Sequence, residues 1–252
     1  MNKQSKFIGT WLSIGSPVIA ELAALSGFAW VLIDLEHGCA SESCVQDQLR
    51  ALRGSPTKGV VRVGAPHADL IARTLDWGAS GIMVPHVNTV AEAEAIVQAA
   101  SYPPRGKRGF SRTVRAHDYG LRTPESSPSP LIFAQIETLD AVHQAPAIAA
   151  VEGIDVLFVG PADLQHDLCH RSIPGSIGFE DCLKRVEEAA RRAGKHAGTL
   201  VREESEIQPR LEQGFNYLAV QSDLSLLRES FGTILGKGRN PKAPICQTLN
   251  SG

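Results

Sequence analysis

Eight short apolar runs alternate along the chain with segments whose apolar residues recur at helical spacing. The runs are almost continuously apolar, which is typical of strands covered on both faces in a parallel sheet. Strand–helix alternation repeated eight times predicts a closed (β/α)8 barrel, with an open doubly wound sheet as the alternative. The runs are FIGTWLS (7–13), WVLIDLE (30–36), GVVRV (59–63), GIMVP (81–85), LIFAQIE (131–137), VLFVG (156–160), HAGTLV (196–201) and YLAVQS (217–222).

The chain length of 252 residues fits one such domain. We predict the barrel over residues 1–236 and a polar, turn-rich tail over 237–252. The net charge of -2 gives no basic bias and argues against a nucleic-acid partner. Neither a signal-peptide pattern nor an apolar run long enough for a membrane span is visible, so we expect no membrane partner and a cytoplasmic protein.

The cysteine pattern predicts reduced thiols rather than a disulfide framework. The five cysteines form no C-x-x-C pair, and an odd count in a large chain favours free thiols. They are Cys39, Cys44, Cys169, Cys182 and Cys246.

Polar residues stand at the ends of several apolar runs, where a parallel barrel gathers its chemistry. Each of them alone has an ordinary explanation as a solvated or ion-paired side chain. Their joint placement at one face of the barrel is what indicates a site. The candidates are Asp34, Glu36 and His37 after the second run, Arg62 in the third, Asp76 before the fourth, Glu137 after the fifth and Asp163 after the sixth.

The pair Glu137 and Asp163 indicates a site for a hard cation, because carboxylate oxygens suit Mg²⁺ or Mn²⁺. A 2-oxo acid bound to such an ion would have a polarised keto group and acidic protons at C3. Arg62 would stabilise the resulting enolate. His37 titrates in the right range for the base, and Asp76 is an acidic neighbour that could orient it.

Two other features leave alternatives open. His166 and His170 have the i, i+4 spacing of zinc ligands, but the residues between them do not match the H-E-x-x-H motif. The long insertion over 101–130 is either an entrance that attracts anionic substrates or a solvated loop whose cations pair with acids elsewhere or across a subunit contact. Its basic residues are Arg105, Lys107, Arg108, Arg112, Arg115 and Arg122.

At these residues the sequence resembles a known family. The matching segments are GTWLSIGSPVIAELAALSGFAWVLIDLEHG, VVRV, MVPHVNTVAEAEAIVQAASYPPRGKRGF, AQIET and VEGIDVLFVGPADL. Over about residues 7–236 the chain resembles the HpcH/HpaI aldolases, the metal-dependent class II pyruvate aldolases. The resemblance implies a (β/α)8 barrel of the phosphoenolpyruvate/pyruvate type. It also implies a Mg²⁺, Mn²⁺ or Co²⁺ cofactor and a homo-oligomer, such as a hexamer built from three dimers that exchange a helix.

The resemblance also implies a role for individual residues. Two carboxylates hold the metal, an arginine holds the keto or enolate oxygen, and a histidine assisted by an aspartate moves the proton. A glutamine lies near the metal, and backbone at a helix start receives the substrate carboxylate. These residues are Glu137 and Asp163, Arg62, His37 with Asp76, Gln135, and Ala162 with Asp163.

The implied substrates are a small 2-oxo acid and an aldehyde, as in 4-hydroxy-2-oxoheptanedioate aldolase and 2-dehydro-3-deoxyglucarate aldolase. Gln221 departs from the family pattern, in which a small residue is expected at that point of the eighth strand. The segment QHDLCHRS after GPADL departs as well. Both positions border the expected substrate mouth, so they bear on the identity of the acceptor aldehyde and not on enolate formation. The alternatives are therefore an oxaloacetate decarboxylase, a carbon–carbon-forming enzyme like macrophomate synthase, and a non-catalytic ligand-binding barrel.

Overall fold

The computed structural model describes residues 6–123, 129–171 and 177–237. Eight parallel strands close into a barrel in the order of the sequence, which confirms the predicted (β/α)8 fold. Each strand falls within a predicted run or extends one residue beyond it. The strands are β1 (Phe7–Leu12), β2 (Trp30–Asp34), β3 (Lys58–Arg62), β4 (Gly81–Val84), β5 (Leu131–Ile136), β6 (Val156–Val159), β7 (His196–Val201) and β8 (Tyr217–Ser222).

The helices begin and end where local sequence signals indicate. Thr89 and Glu92 form a reciprocal capping box at the start of α4. Gly194 has a φ of +70° just beyond α7, a backbone conformation that glycine adopts without strain. The helices are α1 (Pro17–Leu25), α2 (Glu42–Ala51), α3 (Ala68–Asp76), α4 (Val90–Ala100), α5 (Leu139–Ala149), α6 (Pro161–His170), α7 (Phe179–Arg192), α8 (Ile207–Glu212) and α9 (Asp223–Ile234).

The core has an inner and an outer part, which explains the continuous apolar runs. Large side chains fill the barrel interior, where the Trp30 ring stacks on Phe133 with centroids 5.6 Å apart. Aliphatic residues on the other face of each strand pack beneath the surrounding helices. Because the strands are buried on both faces, polar side chains are confined mainly to the strand ends.

The arginine-rich insertion lies at the amino-terminal ends of the strands, because it connects α4 to β5. Arg115 donates hydrogen bonds to the carbonyls of Leu49 (2.9 Å) and Trp77 (2.8 Å), at the ends of α2 and α3. Arg108 pairs with Asp76, also at the end of α3. The insertion is therefore not the entrance of its own barrel. Four of its cations pair with acids or carbonyl oxygens, as the second interpretation of this loop predicts. They are Arg105, Arg108, Arg115 and Arg122.

The expectation of reduced cysteines is wrong for one residue. Cys39, Cys44 and Cys182 carry free thiols, whereas Cys169 is disulfide-bonded. Of the tail predicted over 237–252, all but the first residue lies outside the described part of the chain. Among the described helices, none is long and apolar enough to cross a membrane.

Candidate active site

A cleft of about 870 Å³ opens at the carboxyl-terminal ends of the strands. It collects side chains that the sequence places far apart, on six different strands and the segments that follow strands. The sequence-predicted residues among its lining are His37, Arg62, Gln135, Ala162 and Asp163.

Arg62 is held rigidly at the end of β3 by two carboxylates. Its Nε and Nη2 atoms donate to the two oxygens of Asp34 at 2.9 and 2.8 Å. Its Nη1 atom lies 2.7 Å from Oε2 of Glu36. A guanidinium carries five N–H groups, so two donors remain for a ligand after these three contacts.

Trp11 completes this arrangement from β1. Its indole nitrogen donates to Oδ2 of Asp34 at 3.1 Å, and its ring lies 4.8 Å from the Arg62 guanidinium carbon. Burial by itself raises the pKa of Asp34, but the hydrogen bonds and charge of Arg62 outweigh it and lower that pKa. Asp34 is therefore ionised at neutral pH and fixes the orientation of Arg62.

Glu137 is a buried carboxylate just after β5, with only 2% of its surface exposed. Burial raises its pKa to about 7, against the stabilising backbone N–H of His86. That N–H donates to Oε2 at 2.9 Å, while the amide nitrogen of Gln135 donates to Oε1 at 2.6 Å. The negative charge of Asp163 raises the pKa of Glu137 further, so the two carboxylates interact electrostatically.

A glycine makes room for this carboxylate. A Cβ atom on Gly160 would lie 2.5 Å from Oε1 of Glu137 and 3.0 Å from the amide nitrogen of Gln135. The first distance is incompatible with a side chain at residue 160 unless Glu137 moves, and the second would require a small shift of Gln135. The glycine of the GPAD segment therefore allows the carboxylate to reach its place.

The donor set suits a hard divalent cation. Glu137 and Asp163 supply carboxylates, and the buried Oε1 of Gln135 has no hydrogen-bond partner. The described residues contain no group of three or more His, Cys, Asp or Glu side chains able to hold a metal. Mg²⁺ is commonly bound by one or two carboxylates and otherwise keeps water or substrate oxygens, so two acids with a neighbouring amide oxygen fit it.

The start of α6 offers backbone donors beside this pair. Gly160 is the N-cap and provides no side chain, and Pro161 has no N–H. The N–H groups of Ala162 and Asp163 in the first turn are directed out of the helix, where the helix dipole favours an anion. A substrate carboxylate is the kind of group that this helix start binds.

His37 lines the cleft, but Asp76 does not reach it. The side chain of His37 is 70% exposed, and its Nε2 lies 3.9 Å from Oε1 of Glu36. Asp76 ends α3 near the amino-terminal ends of the strands, where it pairs with Arg108 at 2.5 Å. The predicted assistance of His37 by Asp76 is thus not present within one subunit.

Sequence reasoning missed His86 and gave no role to Glu36. His86 follows β4 with a φ of +54° and places its Nδ1 atom 3.3 Å from Oε2 of Glu137. Its Nε2 atom lies 3.7 Å from Oε1 of Glu36, so the imidazole stands between two carboxylates. The motif MVPH was a usable signal, since it ends a strand as Glu137 does. The rings of the rival pair His166 and His170 lie 4.1 Å apart at an angle of 31°, and Nδ1 of His170 lies 2.8 Å from the carbonyl oxygen of His166.

Comparison with known proteins assigns the chain to a family. The family model described as HpcH/HpaI aldolase/citrate lyase matches residues 8–230. The chain belongs to this family. Two aldolases are among its relatives, and one solved structure of the family has a very similar fold.

The 4-hydroxy-2-oxovalerate aldolase of Novosphingobium aromaticivorans is 41% identical, over 84% of this chain and 82% of the relative. The hydroxypyruvate/pyruvate aldolase of Pseudomonas aeruginosa is 37% identical, over 91% of this chain and 87% of the relative. An HpcH/HpaI aldolase/citrate lyase family protein from Burkholderia cenocepacia superposes with a TM-score of 0.86 at 33% identity, covering 92% of this chain and 94% of that one. The family resemblance seen in the sequence is confirmed, and the chain is a carbon–carbon lyase.

Proposed function

We propose that this HpcH/HpaI family member is a metal-dependent aldolase that makes and cleaves 4-hydroxy-2-oxo acids from pyruvate, or a similar 2-oxo acid, and an aldehyde. The observation that carries the proposal is the convergence of three elements on one cleft. These are the clamped Arg62, the carboxylate pair Glu137 and Asp163, and the free N–H groups at the start of α6. Together they match the keto oxygen, a divalent cation and the carboxylate of a 2-oxo acid.

The metal would be Mg²⁺ or Mn²⁺, with Co²⁺ as a substitute, held by Glu137 and Asp163. When bound, it would polarise the keto group of the substrate and acidify the C3 protons. Arg62 directs its remaining N–H donors at the oxygen that becomes negative in the enolate. The N–H groups of Ala162 and Asp163 hold the substrate carboxylate, which fixes the direction of C3.

His37 is the proposed base that removes a proton from C3 and returns one during cleavage. Its imidazole lies at the open side of the cleft, where it can exchange protons with water between turnovers. Gln135 and the backbone N–H of His86 hold the two oxygens of Glu137 in place. Enolate formation is common to aldol cleavage and to decarboxylation of oxaloacetate, so the acceptor decides which reaction is physiological.

We also propose a homo-oligomer, which one structural observation supports and which the expected role of Asp76 would require. Helix α9 leaves an apolar face exposed on the subunit, a surface that association with other copies would cover. Asp76 can assist His37 only if it comes from a neighbouring subunit, since the two do not meet within one chain. The exposed apolar residues of α9 and its end are Leu224, Leu226, Leu227, Phe231, Ile234 and Leu235.

Exchange of the pyruvate methyl protons in D2O tests the proposed function without a choice of aldehyde. The loss of the methyl signal is followed by NMR with Mg²⁺ or Mn²⁺ and again with EDTA. Metal-dependent exchange is expected in the wild type and should be lost in Glu137→Ala and Asp163→Ala. Asp140→Ala, which removes an exposed acid on the outer helix α5, is the matched control and should retain exchange.

The same experiment separates the alternatives. Exchange without aldol turnover on any aldehyde, together with faster decarboxylation of oxaloacetate, would favour the decarboxylase or a synthase like macrophomate synthase. Binding of pyruvate without exchange would favour a non-catalytic barrel. Exchange that persists unchanged in EDTA would overturn the metal assignment.

A further inference from the structure

Gln221 combines three unusual features at one point of the cleft. The first is its backbone, which has a φ of +57° near the end of β8. This left-handed conformation is rare for residues other than glycine and costs free energy, because the Cβ crowds the backbone. Glycine would occupy the position without that cost, so the amide side chain is a candidate for a function that offsets it.

The second feature is a β-bulge in the same place. Gly9 of β1 pairs with Ala219, but Trp11, two residues on, pairs with Ser222, three residues on. One extra residue is therefore inserted in β8 between Ala219 and Ser222. Bulges next to active sites commonly re-aim a side chain, and this one changes the direction of the chain where it borders the cleft.

The third feature is an unsatisfied amide. Oε1 of Gln221 is buried and has no hydrogen-bond partner. Most buried polar atoms in folded proteins are paired, and an unpaired one lowers stability. Because Gln221 also lines the cleft, a bound ligand can supply the missing partner.

We propose that Gln221 is a specificity-determining residue that recognises a hydroxyl group on the acceptor aldehyde. The inference rests on the proposed aldolase function. The anionic groups of the 2-oxo acid call for a cation and N–H donors, which Arg62, the metal site and the start of α6 provide. An amide offers both a donor and an acceptor, and a hydroxyl group matches it in either orientation.

The test compares two acceptors of equal heavy-atom number in aldol addition to pyruvate: glycolaldehyde, which has a hydroxyl group, and propanal, which has a methyl group in its place. The measured quantity is the ratio of their kcat/KM values, compared between variants so that the different reactivities of the aldehydes cancel. Gln221→Met keeps an unbranched chain of similar length without hydrogen-bonding groups. It should lower the ratio about tenfold, mainly through KM for glycolaldehyde.

Gln221→Gly is the second variant, and it should lower the ratio while raising Tm, because it removes the strained φ. Tyr119 provides a matched control, since it has the same φ of +57° in the insertion at the opposite end of the barrel. Tyr119→Gly relieves a similar strain there and should leave the ratio unchanged. A purely structural role for Gln221 predicts altered Tm with no change in the ratio.

The outcomes distinguish this inference from the proposed function. Methyl exchange of pyruvate reports enolate formation, which precedes the acceptor. Exchange in the wild type with an unchanged ratio in both Gln221 variants would overturn the role of Gln221 and leave the aldolase intact. Absence of exchange in the wild type would overturn both. A ratio that falls in both variants but not in Tyr119→Gly would establish the role.

Discussion

Asp34 and Arg62 are register partners on β2 and β3, and their side chains form a two-pronged ion pair at the strand ends with N–O distances of 2.9 and 2.8 Å. Both side chains are almost completely buried, at 2% and 5% exposure. A guanidinium held at two nitrogens by one carboxylate cannot rotate, so its remaining donors point in a fixed direction before any ligand binds. Such preorganisation is what stabilises developing charge in an active site.

Asp34→Asn tests this relationship, because it keeps the shape of the side chain and removes its charge. We expect pyruvate methyl exchange to slow by about 10- to 100-fold, the range seen when a positioning partner is lost. Arg62→Lys should slow exchange by at least as much, since an ammonium group cannot make the two-pronged contact. The double variant should be no slower than Arg62→Lys alone. Effects that multiply would show that the two residues act independently.

The pKa of Glu137 predicts how the metal-free protein responds to pH. Burial raises that pKa from its ordinary 4.5 to about 7, so between these values the folded state binds a proton that the unfolded chain has lost. Stability of the apoprotein therefore falls as pH rises from 4.5 to 7, by on the order of 2 kcal/mol. Glu137→Gln should lack this pH-dependent part of the unfolding free energy. Thermal unfolding of the wild type and of Glu137→Gln in EDTA, at pH 5 and at pH 8, measures it as the difference between the pH responses of the two proteins.

Bound metal should oppose this loss of stability with rising pH, because it binds the ionised form of Glu137. The stabilisation by Mn²⁺ is expected to grow as pH rises towards 7 and then to level off. Titrations of Mn²⁺ at several pH values, followed by the change in Tm, provide the measurement. An affinity for Mn²⁺ that is the same at pH 5.5 and pH 7.5 would contradict the role of Glu137 as a ligand.

The barrel was predictable from the sequence because strands buried on both faces leave a continuous apolar signature. Burial of both strand faces also confines polar residues to the strand ends, so Arg62, Glu137 and Asp163 were recognisable there as candidates. His86 also ends an apolar run, in MVPH, but its contact with Glu137 was not visible in the sequence, because that contact depends on a left-handed backbone that no spacing rule indicates. The strain at Gln221 and the bulge beside it were equally invisible, since they arise from the register between β1 and β8.

Asp76 shows a different limit of sequence reasoning. Its place before the fourth strand predicts a position near the catalytic mouth, but a helix in a (β/α)8 barrel runs back to the opposite face. Asp76 at the end of α3 is therefore remote from the strand ends that carry His37. The order of strands and helices decides on which face of the barrel a residue lies, so the position of Asp76 was predictable from the sequence.

Asp76→Ala should destabilise the subunit, because it leaves the guanidinium of Arg108, only 7% exposed, without its carboxylate. We expect a loss of about 2 kcal/mol in unfolding free energy. Asp76→Asn keeps a hydrogen-bond acceptor for Arg108 and should cost less. If a neighbouring subunit brings Asp76 to His37, Asp76→Asn will also slow methyl exchange in the oligomer and alter its pH profile. Loss of stability with an unchanged pH profile would confine Asp76 to its ion pair with Arg108.

Gly160→Ala tests the fit around the metal ligands with the smallest possible change. The new methyl group would lie 2.5 Å from Oε1 and 2.8 Å from Cγ of Glu137, so this carboxylate must shift. We expect the affinity for Mn²⁺ to fall at least tenfold, as judged by a titration of bound Mn²⁺, with a proportionate loss of methyl exchange. Backbone conformation does not forbid alanine, since φ at Gly160 is -83°.

Gly178 supplies the matched control for this variant. It too is the N-cap glycine of a helix, α7, with a φ of -71°, and a Cβ there would come no nearer than 3.8 Å to any other side chain among the described residues. Gly178→Ala therefore changes the same kind of cap without touching a ligand, and it should bind Mn²⁺ as the wild type does. An equal loss of affinity in both variants would mean that helix capping, rather than displacement of Glu137, governs the site. A loss confined to Gly160→Ala would identify Glu137 as the group whose position the metal requires.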